Sequence, residues 1–183
     1  MKADLLQAKM ERLQQLLPVP ENAAELGSVS AWGEIESSRG TQLPSDYKLY
    51  INRYGSLVVR GFITVFNPFS SLPFLNTEKI SITLSAYTEL RTIRPKGFPF
   101  EPYPPKGGLI PWGGTENGDE FFWRSVGLPD EWTVVLLSSR GGRFEELPMS
   151  AIDVLCNMLT GELRTTIIPA LCEAPSVVPA KRR

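Results

Sequence analysis

The sequence contains no histidine. This removes Ser-His-Asp and Cys-His nucleophile activation, because no side chain with a near-neutral ordinary pKa stands ready to accept the proton. It also removes imidazole metal ligands and the usual pH switch near neutrality. Cysteine is nearly absent. Cys156 and Cys172 cannot complete a four-thiolate metal site; two reduced thiols are the expected state, with a disulfide between them left open. Charge of either sign is not in excess. Nineteen Lys and Arg against twenty Asp and Glu give a net charge of −1, so the chain lacks the basic surplus that supplies most non-specific affinity for nucleic acid. Lys181, Arg182 and Arg183 make only a short basic end. No run approaches the roughly 20 apolar residues of a membrane span. Asp4, Gln7, Lys9 and Glu11 interrupt any signal-peptide core, so a cytoplasmic address is expected. No internal repeat is visible.

What is present describes one folded domain. The chain has 183 residues, 42% apolar and 10% aromatic, with 15 Gly and 16 Pro, enough for one sizeable core. Leu6, Met10, Leu13 and Leu17 line one face of a helix over 3–17 that Pro18 and Pro20 stop. That helix either packs on its own domain or serves a partner or a second copy. A short helix around Trp32 ends near Gly40. Ser45 or Asp46, after Pro44, is placed to cap a third helix. Tyr47, Tyr50, Ile51 and Tyr54 form its buried stripe, and Gly55 suits a left-handed C′ position. Residues 58–66 read as one strand. Residues 77–93 fit either period, and the longer pattern favours helix.

Residues 95–108 are rich in Pro and Gly but carry Phe98, Phe100 and Tyr103, which reads as a loop strapped onto the surface. Asn117-Gly118 marks a hairpin between two apolar runs. Thr133 to Leu137 reads as a central strand, Gly141-Gly142 as a turn and Arg143 to Glu146 as an extended piece. Ser150 and Asp153 form a capping arrangement for a helix that Gly161 ends. The segment 166–183 has no clear period and reads as a tail. The expected fold is α+β: a single domain with an antiparallel sheet and helices packed on one side. The expected division is 1–27, helix and linker; 28–165, the α+β domain; and 166–183, the tail.

No reaction-bearing motif emerges. Gly107-Gly108 and Gly113-Gly114 lack the following helix and lysine of a phosphate loop. Glu116, Asp119 and Glu120 cluster at the hairpin turn, where acid–base work or a divalent cation is conceivable. A turn whose aspartate satisfies local N–H groups explains them more simply. The four tryptophans, Trp32, Trp112, Trp123 and Trp132, sit beside apolar or turn residues and read as core. Phe122 and Trp123 point to opposite faces, so one of the two could be exposed. No catalytic residue, cofactor or metal is expected.

Trp32-Gly33-Glu34-Ile35-Glu36, Gly40, Leu43-Pro44-Ser45-Asp46-Tyr47 and Tyr54-Gly55 together resemble the opening signature of the SUKH superfamily. This group includes the yeast cell-wall-synthesis regulator and many bacterial relatives. Leu109 to Gly113, Asn117-Gly118-Asp119, Phe122-Trp123, Pro129 to Trp132, Phe144 and the helix through Leu155 and Leu159 resemble its second half. The match spans roughly 28–162.

The resemblance implies an α+β domain without shared catalytic residues and a protein partner rather than nucleic acid or membrane. For a bacterial member it implies immunity: stoichiometric neutralisation of a cognate polymorphic toxin. The alternative is a regulatory or scaffold protein. Immunity to a nuclease is often strongly acidic; at −1, either the toxin is of another kind or the acid is clustered locally. Candidate partner contacts, read as exposed, are Phe98, Phe100 and Tyr103 of the Pro-rich loop and Glu116 and Glu120 beside the turn. Trp32, Pro44, Tyr47, Gly55, Trp112, Gly113, Gly118, Asp119 and Trp123 are the structural motif positions.

Overall fold

The computed structural model describes residues 2–140, 142–168 and 177–179. Cys172, Gly141 and the basic end 181–183 lie outside the described residues. Helices α1 (Lys2–Leu16), α2 (Val29–Arg39) and α3 (Ser45–Tyr54) come first. Strands β1 (Leu57–Val59) and β2 (Ile63–Val65), helix α4 (Thr77–Ile93), and strands β3 (Leu109–Thr115), β4 (Glu120–Arg124), β5 (Thr133–Leu137) and β6 (Phe144–Leu147) follow. Helix α5 (Ala151–Thr160) and strand β7 (Val177–Pro179) come last. Every strand pair is antiparallel, in the order β6-β5-β4-β3-β2-β1-β7. This is an α+β fold, as the order of elements in the sequence implies. Within the segment expected as a tail, the backbone of β7 pairs with β1.

Alternation along the strands sorts their side chains into two cores. Phe121 and Trp123 of β4, with Val134 and Leu136 of β5, face the larger core, which also holds side chains of α1, α2, α3 and α5. Phe122, Val135 and Leu137 face the opposite way, onto Tyr87 of α4 and Phe98. The one-sided helix arrangement therefore holds for α1, α2, α3 and α5, while α4 covers the other face. Because both faces are covered, Phe122 and Trp123 are both buried, and neither is the exposed member of the pair. The stretch 58–66 is a hairpin and not one strand. Arg60 and Gly61 both take positive φ (51° and 63°), and Phe62 N–H donates to the Val59 carbonyl, which reverses the chain between β1 and β2.

The α1 stripe joins the larger core through Met10, Leu13 and Leu17, and Lys9 reaches Ser150 and Asp153 at the start of α5. The segment after α1 is bound at both ends. Tyr54 donates to the Leu17 carbonyl, Ser56 N–H to the Ala24 carbonyl and Asn67 to the Glu25 carbonyl. Burial works against the charge of the Glu25 carboxylate. Hydrogen bonds from Ser56, Ser71 and Ser70 outweigh burial and hold its pKa at about 2 against an ordinary 4.5. A carboxyl depressed in the folded state stabilises above its unfolded pKa and loses that contribution as pH falls through the folded one. Stability is therefore expected to fall between pH 4.5 and about 2, and Glu25→Gln should flatten that slope in denaturant titrations at stepped pH. An unchanged slope would show that other carboxylates govern acid unfolding.

Candidate partner-binding site

The sequence-derived contact residues do not form one exposed patch. Phe98 is 6% exposed, packed edge-on against Tyr87 and Phe144. The Pro-rich loop lays Phe98 and Phe100 on the sheet face beside α4, where they complete the smaller core, while Tyr103 packs against the larger one. Phe100 is half-buried, also against Phe144, with the Arg124 guanidinium over its ring. Tyr103 is half-buried and donates to the Arg39 carbonyl. The strapped loop read from composition is thus present, but Phe98 is corrected from exposed to core, and Phe100 and Tyr103 to half-buried.

At the hairpin turn, Asp119 is buried, accepts from the Ser139 N–H and the Thr115 hydroxyl, and holds the turn. Glu116 is exposed. Glu120 is half-buried and accepts from Lys79 at 3.3 Å. Burial raises its carboxyl pKa, with the Lys79 ammonium opposing. Glu120 and Phe98 do meet, in a groove of about 490 Å³ along α4 that also carries the exposed Ile82 and Leu90. Among the described residues, no group of three His, Cys, Asp or Glu side chains is arranged to hold a metal ion.

A second cavity, of about 460 Å³, opens on the other side of the sheet. Its floor is Trp123 and Trp132, with ring centroids 6.3 Å apart. One wall is α1, through Ala3, Leu5 and Leu6; the opposite wall is Pro129 to Glu131. Leu5 is 61% exposed at its mouth. Trp123 is held from behind by Tyr47, edge-on at 4.9 Å. Its Nε1–H is buried without a hydrogen-bond partner among the described residues, a state that costs free energy unless something supplies an acceptor.

The polar groups around this cavity are committed to holding the fold. Asp46 lies at N2 of α3 and not at its cap; Pro44 occupies the cap position and offers no side-chain acceptor. Ser45, the other expected cap, donates through both N–H and hydroxyl to Asp130. Asp46 instead accepts from its own helix at Tyr47 N–H and from Ile152 N–H in α5. It therefore ties two helix starts together across 106 residues of sequence. Burial raises its pKa, with bonds from Ile152, Ser150 and Tyr47 opposing. Glu131 accepts from Leu128 N–H, and Lys9 is paired with Asp153 at 2.5 Å. The lining carboxylates Asp46, Asp130 and Glu131 thus each accept a bond that holds a neighbouring segment of the fold.

Pro44 and Trp123, both motif positions in the sequence, share this cavity. The available signal was the α1 stripe: Leu6 begins it, is only half-buried, and lines the opening.

The family model SUKH_6, described as SMI1-KNR4 cell-wall, matches residues 30–153. The chain belongs to this family and so to the SUKH superfamily. A search of curated proteins finds no match. No helix among the described residues is long and apolar enough to cross a membrane.

Proposed function

We propose that this SUKH domain is a non-enzymatic binding protein, an immunity protein that neutralises a cognate polymorphic toxin by stoichiometric association. The observation that carries this reading is the tryptophan-floored cavity. It is open, largely apolar and lined by polar groups already engaged in structural hydrogen bonds. Anchors of protein interfaces fill pockets of this kind, within an interface of about 1,600 Å² in total. Family membership agrees, since the superfamily resemblance is to immunity and regulatory proteins. Glu116 at the hairpin turn and Glu120 on the α4 side remain candidate contacts.

The test is co-expression, at graded dose, with a polymorphic toxin domain found by sequencing the genes that flank this one. Protection should rise with dose and saturate near one-to-one, because a blocker does not turn over. Protection at far lower dose would indicate an enzyme. The family description, SMI1-KNR4 cell-wall, favours a second reading, regulation of cell-wall synthesis. No protection at any dose, with a cell-wall defect on gene deletion, would replace the first reading by the second.

A further inference from the structure

Resting on the protein-binding reading, we infer that the cavity between α1 and Pro129–Glu131 receives a tryptophan or phenylalanine side chain from a partner segment that carries lysine or arginine beside it. Two properties of the cavity select this occupant. Its lining is apolar: Leu5, Leu6 and Pro129 surround the edges of two nearly buried tryptophan rings tilted 53° to each other, a slot that suits a flat aromatic side chain. Its volume of about 460 Å³ accommodates such a side chain with the flanking backbone at the mouth.

The charge of the rim selects the neighbours. Asp130 and Glu131 are exposed on one wall. The lining cation, Lys9, is already neutralised by Asp153. Among the described residues, neither Asp130 nor Glu131 forms an ion pair, so this wall favours a cationic segment and repels an acidic one. The groove along α4 differs: Lys79 and Arg94 line it with Glu120, so it offers no acidic surplus.

The wall formed by α1 lies outside the family match, which begins at residue 30. The matched domain supplies the floor and the acidic wall, while residues 3–6 close the other side. The N-terminal helix is therefore the element that sets which side chain fits.

The experiment uses the isotopically labelled full chain, whose four tryptophans give four indole N–H signals in nuclear magnetic resonance spectra. The probes are three blocked pentapeptides: Gly-Lys-Trp-Lys-Gly, Gly-Glu-Trp-Glu-Gly and Gly-Lys-Ala-Lys-Gly. The first should shift the Trp123 and Trp132 signals saturably, roughly tenfold more tightly than either of the others. Ala3→Trp, at an exposed position on the wall, should abolish the shifts by filling the mouth, and Glu131→Lys should weaken them. Equal response to the glutamate peptide, no saturable shift, or shifts confined to the α4 groove would overturn the inference. The same Ala3→Trp chain is then tested against the toxin domain used in the co-expression. If wild type and variant bind it equally, the cavity is not the anchor and the binding reading stands. If wild type does not bind it, the immunity reading itself fails.

Discussion

Trp112→Ala is expected to lower the unfolding free energy by about 3–5 kcal/mol, the usual cost of truncating a buried aromatic to alanine. This is a large share of the ~5–15 kcal/mol that holds a domain folded. Trp112 sits on β3 at 1% exposure. It stacks on Trp123 at 5.8 Å and leans on Phe121 at 5.2 Å. Both neighbours lie on β4, which is paired on each side, so the sheet cannot collapse into the void without breaking its register. The Trp112 indole N–H has no hydrogen-bond partner among the described residues. Trp112→Phe removes that orphaned donor while keeping most of the ring, and should cost less than half as much as alanine. Urea denaturation of the three proteins measures this. A wild-type midpoint for Trp112→Ala would show that the ring contributes little packing. Because Trp112 backs Trp123, the alanine variant should also weaken peptide binding at the cavity on the far side of that ring.

The parts of this fold that could be read from sequence are those with local causes. Tyr47, Tyr50, Ile51 and Tyr54 bury one face of α3 because 3.6-residue periodicity puts them there. Asn117-Gly118 turns the β3–β4 hairpin, with Gly118 at φ 84°. Ser150 caps α5 and Gly161 ends it in the left-handed conformation, both as the residue types require. The β1–β2 turn was hidden because its first central residue is Arg60, and arginine seldom adopts positive φ. Phe98 reads as exposed in the sequence because proline and glycine around it describe a loop. Its burial depends on Tyr87 and Phe144, 11 residues before it and 46 after it. The cavity was invisible for the same reason. Its floor and walls come from residues 3–9, 44–46, 123–132 and 150–151, which no local pattern connects. The acid expected at the hairpin turn is structural in Asp119 and paired in Glu120, while Asp130 and Glu131 stand exposed at the cavity.

Gly55→Ala should cost more than the ~1–3 kcal/mol that a disfavoured backbone conformation alone exacts. The sequence suggests Gly55 as a left-handed helix terminator, and its φ of 59° is positive as that requires, but its ψ of −135° places it in a region open essentially to glycine. A Cβ built there would stand 1.8 Å from the Ala24 carbonyl oxygen. That oxygen belongs to backbone and cannot rotate away. It also accepts the Ser56 N–H, and the segment carrying it is fixed by the Tyr54 bond to Leu17 and the Asn67 bond to Glu25. Relief therefore requires moving the whole strap between α1 and α2. Gly33→Ala is the matched control: Gly33 lies inside α2, a Cβ there meets nothing within 4 Å, and the change should stabilise by about 0.5–1 kcal/mol. The same chemical substitution thus carries opposite signs at two positions, and paired denaturation curves decide it. Limited proteolysis separates strain from strap release: faster cleavage of Gly55→Ala within residues 18–27 marks displacement of the strap. Since the strap positions α1, and α1 forms one wall of the cavity, that displacement should also weaken the tryptophan-peptide response, whereas Gly33→Ala should leave it at the wild-type level.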